Sequence, residues 1–202
     1  MSPRDAAPTR VAIIGAASTL LERGGVEAVT LRGVGEEAGI SRAAPYRHFA
    51  DKAALLQYLA VHALHSMAQA VRQQAARADP SERVLAGSLA YVEYAIAHPK
   101  HYLLIFGDAP RVEAAPDAEA AADDAMQSIE ELIAERDAIT RIDSATDRDP
   151  IPVRERATVL WITLHGIAQL QITGHLHEPR TLDGNTRLAE LVELAVRTQL
   201  RA

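Results

Sequence analysis

Apolar residues recur three and four positions apart along most of the chain, and the polar stretches between these runs are rich in glycine, proline and capping side chains. Such a pattern predicts helices joined by turns. Residues 8–23 carry Ile13, Ile14, Ala17, Leu20 and Leu21 on one stripe, and Gly24-Gly25 ends the helix. Asp51 is an N-cap for a long helix over 52–77, with Leu56, Leu59, Ala63, Met67 and Ala70 on one side; it reads as a connector. Asp79-Pro80-Ser81-Glu82 combines a cap, a proline at the first helical position and an acid at the third, after which Leu85, Leu89, Val92 and Ile96 repeat at helical spacing.

His98-Pro99 breaks that helix and opens a short one that closes near Phe106-Gly107. Residues 108–116 read as a loop, the acidic run 117–124 leads into a helix bearing Met126, Ile129, Leu132 and Ile133, and 140–152 reads as a mobile polar loop. Two helices, over 153–173 and 186–200, close the chain. Val159, Leu160, Trp161, Ile162, Leu164, Ile167, Leu170 and Ile172 lie nearly all round the axis of the first, so one face can fill a core while another meets a second subunit. The last helix has a matching stripe, and the pair can join its own copy in the four-helix interface of a symmetric dimer. The expected contacts are Ile162, Gly166, Leu170, Leu188, Leu191, Val192 and Ala195.

The stretch from Thr30 to Lys52, TLRGVGEEAGISRAAPYRHFADK, carries the most information. Thr30 can cap a short helix through Leu31, Val34 and Ala38, Gly39 supplies a permissive turn, and Ser41 can cap the helix that follows. That second helix would present Arg42, Ala44, Tyr46, Arg47 and His48 outward, with Phe49 as an anchor into the core. The result is a helix-turn-helix with a polar face suited to a major groove. With Ser41 as cap, Pro45 falls in the first helical turn and costs about one backbone hydrogen bond. Gly33 and Gly35 are poor helix formers, each costing up to about 1 kcal/mol against alanine. Gly35 is therefore expected to mark a close helix crossing.

These residues resemble the N-terminal domain of the TetR family of one-component transcriptional regulators. The resemblance rests on Thr30, the Ala38-Gly39-Ile40 turn, Tyr46 with His48 and Phe49, and Lys52, over about a quarter of the chain. It implies that Arg32, Arg42 and Ala44 face bases or their sugars, that Thr30, Tyr46, His48 and Lys52 hold phosphates, and that Ser41 and Arg47 belong to the same surface. Base contacts select sequence, whereas phosphate contacts fix the pose. Further along, Trp161-Ile-Thr-Leu-His165-Gly166 and His98-Pro99-x-His101-Tyr102 with Phe106-Gly107 resemble the C-terminal domain of one TetR subgroup, named for its Trp, His, Gly pattern. That likeness implies a small-molecule pocket, expected around Leu59, Met67, Tyr91, Tyr102, Phe106, Met126, Trp161 and His165.

Composition agrees with helices: aromatics make up 4% and hydrophobic residues 48% of 202 residues, which suits close-packed all-α architecture better than a sandwich of strands. The absence of cysteine excludes disulfides, a thiolate nucleophile and Cys-ligated zinc. The apolar, uncharged stretch 157–173 holds three Thr, two Gln and His165 and falls short of the usual membrane-spanning length. No secretion signal opens the chain, and a cytoplasmic location is expected. The net charge of −6 is unevenly spread, since residues 1–52 hold seven bases against six acids, leaving −7 beyond them. DNA binding would then depend on where a few arginines point, not on a long-range field.

Three histidine pairs, His62 with His65, His98 with His101 and His175 with His177, have spacings a metal could use, but the sequence identifies no third ligand for any of them. Trp161 and His165, one turn apart, read as core residues before pocket residues. The expectation is an all-α homodimer, with residues 1–52 as a three-helix DNA-binding domain and 53–202 as an effector-binding and dimerisation domain. It would act on double-stranded operator DNA as a repressor released by a small-molecule effector, without enzymatic activity, cofactor, metal or membrane. The rival is a helical ligand- or metal-binding protein, or an enzyme, that uses Trp161 and His165 without DNA.

Overall fold

The computed structural model describes residues 3–107, 116–140, 151–178 and 187–200, with side chains at all but 3–8, 116 and 140. Every regular element among them is helical: α1 Pro3–Ala28, α2 Leu31–Glu37, α3 Lys52–Arg77, α4 Arg83–Ala97, α5 Pro99–Phe106, α6 Pro116–Thr140, α7 Val153–Ile172 and α8 Leu188–Gln199. Short 3-10 turns span Pro45–Arg47 and Pro80–Glu82. The expected loop at 108–115, most of that at 140–152 and the turn at 179–186 lie outside the described residues.

Residues 1–64 with 98–121 form one compact unit, and 65–97 with 122–202 form another. The first is thus larger than the opening 52 residues, because α5 packs on α1. Its core joins Ile13, Ala17 and Leu21 of α1 to Leu31 and Val34 of α2, Phe49, Leu55 and Leu59, and Leu104 of α5. Gly25, with φ of +69°, breaks the end of α1 as the Gly24-Gly25 pair predicts. Arg10 lies over two rings of this unit, its guanidinium carbon 4.8 Å from the Tyr58 centroid and 5.6 Å from that of Phe49.

In the second unit α4 packs on both α7 and α8, which pack on each other. Leu160, Leu164 and Val192 are completely or almost completely buried there, and each such side chain contributes roughly 1.5–3 kcal/mol relative to exposure. Two expectations change. The buried face of α4 is Val84, Gly87, Ser88, Tyr91, Val92 and Ala95, so Leu85, Leu89 and Ile96 of the expected stripe are only half-buried. Small residues turn inward because a Cβ on Gly87 would meet Leu132 Cδ1 at 2.8 Å and Val71 Cγ1 at 3.2 Å. Nor does the Asp79 side chain cap α4: the Pro80–Glu82 turn intervenes, and Glu82 N–H bonds to the Asp79 carbonyl at 2.8 Å instead. Asp51 does cap α3, accepting from Ala54 N–H at 2.8 Å.

Candidate nucleic-acid interface

Thr30 has extended backbone and its Oγ1 accepts from Gly33 N–H at 3.0 Å, so the helix starts where a threonine cap requires. Seven residues later α2 stops. Gly39 adopts φ of +66°, a conformation open to glycine, and Ile40 N–H closes the turn on the Gly35 carbonyl at 3.0 Å. Gly35 is the contact glycine: a Cβ there would lie 3.0 Å from Arg42 Cα and 3.1 Å from the Ser41 carbonyl oxygen.

Residues 41–48 correct the expectation of a second α-helix. They form a turn closed by Ala44 N–H to the Ser41 carbonyl at 2.8 Å, followed by the 3-10 turn Pro45–Arg47. Ser41 Oγ accepts from Ala43 N–H at 3.2 Å and so caps the first turn only. Pro45 is the cause. It has no N–H to give to residue 41, so although Ala44 keeps helical φ and ψ of −63° and −43°, the ladder breaks and resumes from the Ala44 carbonyl, which accepts from Arg47 N–H at 3.1 Å. Phe49 N–H returns to the Pro45 carbonyl at 3.0 Å, and the Phe49 ring is buried as expected.

The segment still displays a polar surface. Thr30, Arg32, Ser41, Arg42, Tyr46 and Arg47 are exposed, whereas Ala44, His48 and Lys52 are half-buried. Tyr46 keeps 59% of its surface in solvent, uncommon for so large a ring. Arg42 Nε lies 2.5 Å from Glu36 Oε1, and Arg32 Nε lies 3.5 Å from the same oxygen. Lys52 Nζ is 3.9 Å from Glu27. Arg47 makes no ion pair among the described residues. His48 Nε2 is buried without a hydrogen-bond partner, so this ring nitrogen points away from the exposed face. Arg23 grips Glu37 through two hydrogen bonds of 3.1 and 3.2 Å, tying α1 to α2 behind that face.

Glu36 was missed as a member of this surface. Its i,i+4 spacing to Arg32 is a sequence signal; its approach to Arg42 comes only from the turn.

Two family models match the chain: bacterial regulatory proteins, tetR family, over residues 13–59, and tetracyclin repressor-like, C-terminal domain, over residues 84–198. Together they span more than half its length. The chain belongs to the TetR family. A protein of unknown function from Rhodococcus sp. RHA1 is 31% identical, with 96% of this chain and 94% of that one aligned at a TM-score of 0.78. SCO4313, proposed as a regulatory protein, is 27% identical over the whole of both chains at a TM-score of 0.74. The transcriptional regulator FadR of Bacillus subtilis, solved with stearoyl-CoA, shares the fold at 12% identity, with 95% of this chain and 97% of that one covered at a TM-score of 0.69. No curated protein matches the sequence.

The residues expected to line an effector pocket in this TetR-family chain are divided between the two units. Leu59, Tyr102 and Phe106 belong to the first, where Tyr102 is fully buried and its ring centre lies 4.9 Å from that of Phe106. Met67, Tyr91, Met126, Trp161 and His165 belong to the second. Trp161 and His165 are half-buried with ring centres 5.6 Å apart, and burial lowers the His165 pKa below its ordinary 6.5. An apolar void lined by Val71, Gly87, Tyr91, Leu132, Leu160 and Leu164 has room for about 10 Å³, enough for no more than one water. Of the expected set, Tyr91 alone lines it.

The terminal helices of this TetR-family protein sort into inward and outward faces. Ala157, Leu160, Leu164 and Ala168 of α7 are buried, whereas Val159, Ile162 and Leu170 are exposed. Nothing lies within 4 Å of where a Gly166 Cβ would be. Leu188 and Leu191 are half-buried, whereas Val192 and Ala195 are buried in the core of the second unit. No helix among the described residues is long and apolar enough to cross a membrane.

Proposed function

We propose that this TetR-family regulator is a homodimeric repressor in which residues 1–52 read a near-palindromic operator and residues 53–202 bind an effector and dimerise. Each subunit offers residues 41–48, with Thr30 and Arg32 beside them, to one major groove, the half-sites lying ~34–36 Å apart. The observation that carries this reading is the exposure of Arg32, Arg42, Tyr46 and Arg47 on one small head whose apolar residues are buried behind them. A helical hairpin serving only as core would not leave a tyrosine and three arginines in water on one side of a glycine-tight turn. The chemistry is binding, carried out in the cytoplasm where the DNA is.

The dimer face is α7 with α8, supported by Val159, Ile162 and Leu170, which are exposed at helical spacing around the open Gly166. The effector is a small apolar or amphipathic molecule. The void beside Tyr91 is too small for it, so binding must part α4, α6 and α7, and α3 can carry that change because it is one continuous helix from Lys52 to Arg77. An effector that releases DNA must bind more weakly when operator is present, since coupling is reciprocal.

Operator selection from random duplexes followed by gel shift tests the reading. The wild type should enrich a twofold-symmetric site, and Arg42→Ala with Tyr46→Ala should abolish the shift while melting like its parent. Equal binding by that double variant, or no enrichment by the wild type, removes the proposal.

A further inference from the structure

Where α5 packs on α1, four polar side chains from distant parts of the sequence meet. His101 is buried, its Nε2 2.6 Å from Ser18 Oγ and its Nδ1 against Glu22 Oε1. His98 is exposed at the start of α5, its ring centre 6.1 Å from that of His101 and nearly perpendicular to it. One donor atom from each of Glu22, His98 and His101 lies within 4.8 Å of the other two. Among the described residues no other three His, Cys, Asp or Glu donors draw together in this way.

We propose that Glu22, His98 and His101 form a binding site for a first-row divalent cation, with Zn²⁺ the best fit. Two imidazoles and one carboxylate are a common three-residue donor set for zinc, leaving a fourth position to water. Nitrogen donors also argue against Mg²⁺ and Ca²⁺, which take oxygen. Metal–ligand distances of about 2.0–2.2 Å require the donor atoms to stand roughly 3.3–3.6 Å apart. Glu22 and His101 must therefore separate slightly and His98 close in. Rotamer changes can do both, since Glu22 is only part-buried and His98 is exposed.

Ser18 completes the arrangement. Its hydroxyl on His101 Nε2 holds the ring with Nδ1 turned toward Glu22, the role that a hydrogen-bonded partner plays behind metal-bound histidines. Glu22 shares α1 with Arg23, whose grip on Glu37 secures α2. The cation would pin α5 to the helix that backs the DNA-reading surface. A ligand present in the folded chain and absent from the unfolded one raises stability by mass action.

Metal-stripped full-length protein should be titrated calorimetrically with Zn²⁺, and with Co²⁺ for its visible ligand-field bands, and melted with and without each cation. The expected result is one Zn²⁺ per chain and a higher melting midpoint, with no shift from Mg²⁺. His98→Ala should lose both while the metal-free form melts like its parent, because His98 is exposed. Glu22→Gln, which keeps the carboxylate's shape, should weaken binding sharply, and Ser18→Ala by roughly 10–100-fold. A His62→Ala, His65→Ala double variant should bind as the wild type does. Unchanged affinity and stoichiometry in His98→Ala, or no saturable binding with an unmoved midpoint in the wild type, overturns the site.

Discussion

Glu36 Oε1 lies 2.5 Å from Arg42 Nε, and the same oxygen is 3.5 Å from Arg32 Nε, so one carboxylate holds two of the arginines on the exposed head. Both arginines are about two-thirds exposed. Such pairs contribute about 0.2–1 kcal/mol each, and DNA must break them or accept a nearby negative charge. Glu36→Gln should raise affinity for duplex DNA by roughly two- to fivefold, the equivalent of one such pair, and steepen the salt dependence by about one unit of slope. Gel shifts over a salt series measure both. Unchanged or weaker binding at low salt would show that Glu36 does not compete with DNA for these side chains.

Two glycines in helices should respond to alanine with opposite signs. At Gly35 the new methyl would meet backbone at 3.0 and 3.1 Å, which cannot swing aside as a side chain can. A loss of about 1–3 kcal/mol is expected, larger than the propensity gain of up to about 1 kcal/mol. At Gly15 nothing lies within 4 Å, so Gly15→Ala should keep that gain and raise the melting midpoint. Thermal unfolding of the two variants decides it, and equal shifts would refute the packing argument.

Arg10 has no signal in the hydrophobic pattern, yet it joins α1 to the rings of Phe49 and Tyr58. Arg10→Ala should cost about 1 kcal/mol, and Arg10→Lys less. Denaturant titration at fixed pH provides the comparison; an Arg10→Ala midpoint equal to the parent's would assign the ring contacts no energetic weight.

His165 is partly desolvated beside Trp161, and burial lowers its pKa below 6.5. The folded chain then binds fewer protons here than the unfolded chain does. The associated stability is complete above pH 6.5 and is lost as pH falls through the lowered folded value. His165→Gln should therefore show a shallower fall in melting midpoint than the wild type over that acidic window. Parallel curves would mean that His165 titrates alike in both states.

The two faces of the terminal helices should separate association from folding. Ile162→Glu places a charge on an exposed position, so the subunit should fold normally while a symmetric interface over that face loses roughly 3–5 kcal/mol. Light scattering should then report a monomer with parental helical content. Val192→Asp instead buries the charge in the subunit's own core, and loss of helical signal is expected. An Ile162→Glu variant as dimeric as its parent would place the interface elsewhere.

Helix positions, the Thr30 and Asp51 caps, the Gly39 turn and the tight approach at Gly35 were legible in the sequence because each depends on residues within one or two turns of one another. Pro45 was legible as a restriction. Its outcome, two tight turns in place of a recognition helix, depended on which neighbouring hydrogen bonds remained available once its N–H was gone. The buried face of α4 was misplaced for a different reason: hydrophobic periodicity follows the large side chains, whereas the close crossing is at Gly87, which no apolar pattern marks and where a Cβ would meet Leu132 Cδ1 at 2.8 Å. Glu22 beside His101 lies 79 positions away, and Glu36 meets Arg42 only across the turn, so neither neighbour appears in any local pattern. The sequence by itself determined most helix starts, ends and turns, apart from 41–48 and the start of α4, since backbone hydrogen bonding and side-chain period are short-range. Only the tertiary structure decided which charges and donors face each other, because that depends on packing between segments far apart along the chain.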